Sequence, residues 1–381
     1  MLSRLIIHID CDILKTLKRG ELVQKLNGFI MSKDIPVVKV ENGIASVINE
    51  SLAPLFFARC SDVFAWLESR AIDSHRANSR LLKKALRLSN KDDVGTVLTV
   101  NAVTITDNYW FKETDSALKW EDVCFKENLF DNLALCGDPD SFNQKPSRTP
   151  ELTNIGSYEK CWRLIDGKWW MYKNGNELEL FSELFIYNLG RKLGFNMAFY
   201  ELADGYIRTL DFTDNASVNF ETADGMVGDN EDYNDNFEIL LSISESVAKD
   251  YLRLVYLDTL CMNMDRHTKN YGVLRDTVTG KVISLAPNYD NNIALVSRGY
   301  PKNISRENDL LIELFTELLN ENEKAYALFK DMSIPKLTED IINECIDDTA
   351  LEIDRDFIVK FVLNGVYKIE EYLIKNSDKE K

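Results

Sequence analysis

Between residues 263 and 274 the sequence reads NMDRHTKNYGVL, which crowds Asp265, Arg266, His267, Lys269 and Asn270 into six consecutive positions after an apolar helical run. A turn can be built from Gly, Asn or Ser alone, so this density of polar groups asks for a chemical reason. Asp290 follows 25 residues after Asp265, in LAPNYD. The intervening YGVLRDTVTGKVISLA reads as a β-hairpin with Gly280 near its turn, and a hairpin returns the chain to its starting point. Asp265, Asn270 and Asp290 are therefore expected to converge. Two carboxylates and an amide oxygen make a hard-oxygen site suited to Mg²⁺.

Phosphoryl transfer needs such a site, together with a carboxylate that orients the attacking hydroxyl and a cation on the phosphates. The spacing Asp-x-x-x-x-Asn is that of a protein-kinase catalytic loop, with Asp as base and Asn as metal ligand. The order Asp-Arg-His-x-x-Asn also looks like the loop of lipid kinases. The loop alone fits equally well a structural turn whose Asp, Asn and His cap helix ends. The second aspartate behind the hairpin tips the reading towards chemistry.

The cation has a candidate upstream. Lys173 closes the aromatic run GKWWMYK, and Glu183 lies ten residues on, in NELELFSELFIYNLGRKLG. A strand lysine and a glutamate on the next helix can pair and hold the lysine against phosphate. Glu177 and Glu179 compete for that role. NIGSYEKCWR, before the first strand, offers one Gly and one Ser and no G-x-G-x-x-G fingerprint.

These groups need elements to position them. EKCWRLIDGKWWMYKNG and MAFYELADGYIRTLDF each read as strand, Asp-Gly turn, strand. The helix between them is expected to end at Gly194. In 244–260, Val247, Tyr251, Leu254 and Val255 fall on one helical face. Two or three helices are expected to finish the chain. The acidic segment 228–236, GDNEDYNDN, lacks EF-hand spacing and its closing Glu, and reads as a solvated loop before helix from about 237.

The clearest linker is GDPDSFNQKPSRTP, 137–150, with three prolines among small polar residues. It separates an α/β N-terminal domain, 1–136, from a β-rich unit, 151–236, and a helical unit, 237–381. The fold class expected is α+β. In the N-terminal part, FAWLESRAIDSHRANSRLLKKALRL reads as a helix with a basic patch. Its run 79–88 is a solvated amphipathic face or a partner-binding helix. Tyr109, Trp110 and Trp120 read as core.

Bulk properties exclude several classes. The chain has 381 residues, 45% of them apolar, and a formal net charge of −17, which disfavours direct nucleic-acid or anionic-membrane binding. Seven cysteines (Cys11, Cys60, Cys124, Cys136, Cys161, Cys261, Cys345) are scattered and never form C-x-x-C, which points to reduced thiols in a cytoplasm. MLSRLIIHIDCDILK is not a secretory signal, and no apolar run reaches the ~20 residues of a membrane span.

Taken together, DRHTKNYGV, LAPNYD and a Glu eleven residues before the Leu-Gly that ends its helix resemble the HipA-like serine/threonine kinases, a bacterial family often linked to toxin–antitoxin systems. The resemblance covers roughly 150–380. It implies a two-lobed kinase-like fold with 151–236 as the small lobe and 237–381 as the helical one. It implies Asp265 as catalytic base and Asn270 and Asp290 as Mg²⁺ ligands. Lys173 would contact ATP phosphates and pair with Glu183, while His267 and Lys269 shape the loop. Gly156, Ser157 and Lys160 would belong to a phosphate loop, with Ser157 a candidate for autophosphorylation. Thr209, Leu210, Asp211 and Phe212, in a hinge running to Thr213, would meet adenine. An antitoxin-like partner and a protein substrate are implied as well. The alternatives are a lipid or small-molecule kinase, and an inactive pseudokinase acting as a nucleotide-dependent binding module.

Overall fold

The computed structural model describes residues 26–302, 304–306 and 309–377. Cys11 and the segment MLSRLIIHIDCDILK lie outside them. The N-terminal part pairs β1 (Gly28–Ser32), β2 (Ile35–Glu41), β3 (Ile44–Val47) and a later β4 (Tyr109–Glu113) in the order β3-β2-β1-β4. Between β3 and β4 run the short helices α1 (Phe56–Arg59), α2 (Val63–Ser69), α3 (Ser79–Ala85) and α4 (Asp93–Leu98). Trp66, Leu67 and Val97 pack on Val38 and Phe111 of the sheet. Tyr109 and Trp110 are buried. After β4 come α5 (Trp120–Val123) and α6 (Asp131–Cys136).

The stretch expected to form one basic helix is two, α2 and α3, because residues 70–78 are used otherwise. The Asp73 carboxylate takes the His75 N–H at 2.8 Å and turns the chain. Arg76, only 1% exposed, then donates to the carbonyls of Asn154 and Lys160. α3 buries Leu82 and sends Lys83 to Asp93 at 3.0 Å. The proline-rich segment 137–150 starts with a 3-10 turn, Pro139–Asn143. It ends packed, with Arg148 donating to Asn101 Oδ1, Val100 O and Val123 O.

The sheet beside the site follows the Asp-Gly signals. β5 (Lys160–Ile165) and β6 (Lys168–Lys173) turn at Asp166 (φ 50°) and Gly167 (φ 77°). Two positive φ values in succession are what a two-residue hairpin needs to match strand twist. Helix α7 (Glu177–Lys192) is capped by Asn176, whose side chain accepts from Leu178 and Glu179 N–H while the Glu179 carboxylate takes the Asn176 N–H. Gly194 (φ 74°) ends it. β7 (Tyr200–Ala203) and β8 (Tyr206–Leu210) turn at Asp204 and Gly205 in the same way, and the order is β5-β6-β8-β7.

A third sheet belongs to the hairpin. β9 (Val218–Thr222) comes first, followed by α8 (Asp224–Val227), α9 (Tyr233–Ile243) and α10 (Glu245–Cys261). β10 (Gly272–Asp276) and β11 (Val282–Leu285) then form the expected hairpin, and β9 adds on the free side of β10. The acidic segment 228–236 is not wholly loop: Asp232 accepts the Asp235 N–H at 2.8 Å and starts α9 at Tyr233. Four helices finish the described chain, α11 (Leu310–Glu321), α12 (Glu323–Lys330), α13 (Glu339–Asp347) and α14 (Arg355–Ser377), more than the two or three expected.

The largest core surrounds α10. Val247, Tyr251, Leu254 and Val255 are all at most 4% exposed and pack with Phe185, Phe315 and Phe361. Burying a helix on this scale holds its C-terminal end, where the polar loop begins, at a fixed place. The architecture is mixed α+β with antiparallel sheets. No described helix is long and apolar enough to cross a membrane, and the six described cysteines are free thiols.

Candidate active site

Helix α10 ends at Met262, which takes a left-handed conformation (φ 50°), and the polar loop starts there. Its geometry rests on a buried pair. Asp258, in the last turn of α10, accepts from the Asn263 amide at 2.9 Å and from Arg266 Nε at 2.8 Å. Arg266 also donates to the carbonyls of Asn270 and Tyr289, to Asn288 Oδ1 at 3.0 Å and to Asn291 Oδ1 at 2.7 Å. One guanidinium thus ties the helix end, the loop and the NYD segment together. Burial pushes the Asp258 carboxyl up, and Arg266 opposes it.

Asp265 is half-buried, and its backbone carbonyl accepts from His267 N and from Asn270 Nδ2, both at 2.9 Å. None of these bonds uses its carboxylate. The Asn270 nitrogen is committed to Asp265, so its amide oxygen is the end left for a cation. His267 Nδ1 accepts from Lys269 N at 3.2 Å, and Lys269 O accepts from the Tyr289 hydroxyl at 2.9 Å. Asp265, His267, Lys269, Asn270 and Asp290 all line one cleft of about 490 Å³.

Asp290 adopts φ 61°, uncommon outside Gly, Asn and Asp. Its N–H donates to the Tyr200 hydroxyl at 3.1 Å. The Lys173 ammonium reaches across to the Asp290 carboxylate and donates to Asn292 Oδ1 at 2.7 Å. Glu183 is fully buried on α7. One of its oxygens accepts the Asn291 N–H at 2.7 Å, and the other stands 3.8 Å from Lys173. Burial raises the Asp290 carboxyl, but Lys173 and then Lys160 outweigh it and hold it below the usual range. Burial raises Glu183, with Lys173 opposing. The lysine's charge is therefore shared chiefly with Asp290. Of the rival glutamates, Glu179 serves the helix cap and accepts from the Tyr158 hydroxyl at 2.8 Å, and Glu177 is exposed.

Alternation along the strands decides which side chains face the cleft. Met171 and Lys173 of β6 and Ile207 and Thr209 of β8 line it by alternation, and where the strand ends Leu210, Asp211 and Phe212 line it as well. Gly156, Ser157, Tyr158 and Lys160 line its rim. Gly156 has φ 113°, and a Cβ there would meet the Lys160 ammonium at 2.5 Å, so a side chain at this position would displace the lysine. Burial lowers Lys160 to about 8, with Asp290 pulling the other way. The Tyr158 ring covers the Lys173 ammonium at 4.9 Å.

β8 ends at Leu210, and the Asp211 carboxylate is spent on folding the turn beyond it. It accepts from Thr213 N, Thr213 Oγ1 and Asn215 N, at 2.6 to 2.9 Å. Phe212 packs edge-on against Phe220 at 5.3 Å and tilted on Tyr289 at 6.0 Å. Sequence reasoning missed Arg266 as an organiser, along with Asp258, Asn291 and Asn292. Their partners are distant in the chain, and only the neighbouring NMDR and NYDNN context hinted at them.

The pair of hard oxygens fits a cation that arrives with its own ligands. Among the described residues no cluster of three or more His, Cys, Asp or Glu could hold a metal unaided. Mg²⁺ is commonly held by one or two protein oxygens plus phosphates and waters, and the Asp290 carboxylate and Asn270 amide oxygen, which line the same cleft, are of the type it takes.

A strand-bound lysine, a buried helical glutamate and a polar loop facing an Asn-Tyr-Asp segment define a fold of the HipA kind. The family model of the HipA-like C-terminal domain matches residues 158–357, just over half of the chain. The chain belongs to that family. A solved HipA from Shewanella oneidensis MR-1, in complex with HipB and its operator DNA, is similar in fold. Its TM-score is 0.51 at 13% identity, covering 91% of this chain and 99% of that one. The proinflammatory kinase CtkA of Helicobacter pylori aligns at a TM-score of 0.44 and 16% identity, over 58% of this chain and 95% of that one. No curated protein matches the chain by sequence.

Proposed function

We propose that this protein is an ATP- and Mg²⁺-dependent serine/threonine protein kinase of the HipA type, moving the γ-phosphate to a protein hydroxyl. The carrying observation is that Lys173, Asp290, Asn270 and Asp265, drawn from a strand, the NYD segment and the polar loop, line one cleft. In this reading, residues 151–236 form the small lobe and 237–377 the described helical lobe. Lys173 and Lys160 bind phosphate oxygens, and Glu183 keeps Lys173 from swinging away. Asp265, whose carboxylate is not used by the loop's own bonds, orients and deprotonates the acceptor hydroxyl. Asp290 and Asn270 would hold Mg²⁺, which neutralises charge on the phosphates. Thr209 to Phe212 would border the base.

Family membership, and the antitoxin complex of the Shewanella protein, support a toxin–antitoxin setting with an antitoxin-like partner. One observation favours the pseudokinase reading. Lys173 lies directly on Asp290, so the metal ligand is engaged by the phosphate ligand. Nucleotide entry must separate them. Arg266, the residue behind the lipid-kinase likeness, is turned onto Asp258 with 3% of its side chain exposed, so it does not meet a substrate.

The test is transfer from labelled ATP with Mg²⁺ by wild type, Asp265→Ala and Asp290→Ala. Wild-type labelling that falls on the order of 10²–10⁴-fold in both variants is expected. Nucleotide binding without any turnover would move the pseudokinase reading to first place.

A further inference from the structure

The cleft has a wall that comes from outside the family-matched region. Thr104, Ile105, Thr106 and Asp107 line it together with Thr209 and Asp211. Ile105 is 5% exposed and packs on Trp162, Trp169 and Met171. Met171 is the register partner of Thr209, and the Trp169 carbonyl accepts the Asp211 N–H at 2.9 Å. The Thr106 carbonyl accepts the Phe220 N–H at 2.9 Å, and the Phe220 ring packs on Phe212. The loop is therefore joined to the hinge from two sides.

It is also stiff. Arg70 and Asp107 form an ion pair at 2.8 Å with side chains 9% and 6% exposed. Arg70 further donates to the Ala102 and Tyr109 carbonyls, and Asp107 accepts from Thr104 Oγ1 at 2.8 Å and from Tyr109 N at 2.9 Å. The pair is internally neutral, so it adds no net charge to the cleft. Lys160, Lys173 and Asp290 line the same cleft. One hydroxyl here has no partner: Thr209 Oγ1 is buried without a hydrogen bond. An unsatisfied buried hydroxyl costs free energy until a ligand supplies a partner.

We infer that the loop Thr104–Asp107 forms one wall of a nucleobase subsite, so that the N-terminal part completes the nucleotide site and, through Ile105, Thr106 and Thr209, limits which base fits. The inference rests on the nucleotide reading above. Ile105, Phe212 and Phe220 line the same cleft as Thr209, so a heteroaromatic base there would meet apolar surface, and its ring nitrogens can accept from the Thr209 hydroxyl. The triphosphate would then point towards the lysines.

Calorimetry separates base from phosphate by comparing ATP with inorganic tripolyphosphate, both with Mg²⁺. Thr106→Trp, at a half-exposed position, adds bulk to this wall. It is expected to weaken ATP at least tenfold while changing tripolyphosphate less than twofold. ATP affinity unchanged in this variant overturns the inference alone, whereas wild type that binds neither ligand overturns the nucleotide reading along with it. Photolabelling of the wild type with an azido-purine ATP needs no folded variant. Label on residues 104–107 is expected, and label confined to 209–220 overturns the inference.

Discussion

Arg266 and Asp258 face each other at 2.8 Å with side chains 3% and 1% exposed, one at the end of a helix and the other inside the polar loop that follows. Because Arg266 also holds the Asn270 and Tyr289 carbonyls, this pair sets the separation between the candidate base and the candidate metal ligand.

Removing Arg266 leaves a buried carboxylate without its counter-charge. Arg266→Ala is expected to lower stability by about 3–5 kcal/mol, read from denaturant unfolding. Arg266→Lys keeps the charge but loses the fork, so it should retain much of the stability while phosphotransfer falls. Full activity in Arg266→Lys would show that the fork positions nothing.

Lys160 is expected to make nucleotide affinity pH-dependent. Its ammonium is held near 8, well below the ordinary lysine value, so it is charged below that pH and neutral above it. Affinity for ATP is expected to fall as pH rises through 8, by about tenfold for one lost charged contact worth ~1.4 kcal/mol. Lys160→Met should bind weakly at both pH 7 and pH 9.5, and Lys160→Arg should bind well at both. The stability effect has the opposite sign. The folded state binds fewer protons than the unfolded one between about 8 and 10.5, so the Lys160 contribution to stability rises with pH across that window. Unfolding curves of wild type and Lys160→Met should converge there as pH increases.

Ser157 is exposed on the rim of the cleft, beside Gly156 and within the loop that carries Lys160. Incubation with ATP and Mg²⁺ is expected to phosphorylate it, and mass spectrometry should locate the phosphate. Phosphate elsewhere, or none, in a preparation that turns over ATP would remove Ser157 as the autophosphorylation site.

The hairpin that returns Asp290 to the loop turns at Gly280, with φ 70°, against the Ser51 carbonyl of the N-terminal part. A methyl group at this position would overlap that oxygen and occupy an unfavourable φ. Gly280→Ala should cost about 2 kcal/mol or more. Its thermal midpoint is the measurement, and an unshifted midpoint would mean that the turn does not bear on Ser51.

Much of the local structure was legible along the chain, because its causes lie within a few residues. Two Asp-Gly pairs dictate two-residue turns, Gly194 ends one helix, and Val247, Tyr251, Leu254 and Val255 mark the inner face of another. The spacing of Asp265, Asn270 and Asp290 around a hairpin likewise brought the polar groups into one place. Helix ends were less legible. Arg76 breaks what reads as one basic helix because its partners, the carbonyls of Asn154 and Lys160, lie about 80 residues away.

What no pattern could supply were the partners of charged groups across the fold. Lys173 could have taken Glu177, Glu179 or Glu183, and packing turned Glu183 inward while the helix cap and Tyr158 took Glu179. Arg266 carries no periodicity, so its role as a tie depended on Asp258, Tyr289 and Asn291 arriving around it. The wall at Thr104–Asp107 arises the same way, through a buried Arg70–Asp107 pair and a strand bond to Phe220. Local propensities and turn chemistry act through sequence neighbours, so the sequence by itself determined these elements and the reactive residue types. Burial of paired charges and the packing of distant segments act through space, so the tertiary structure decided which partners Lys173 and Arg266 take and that Thr104–Asp107 joins the cleft.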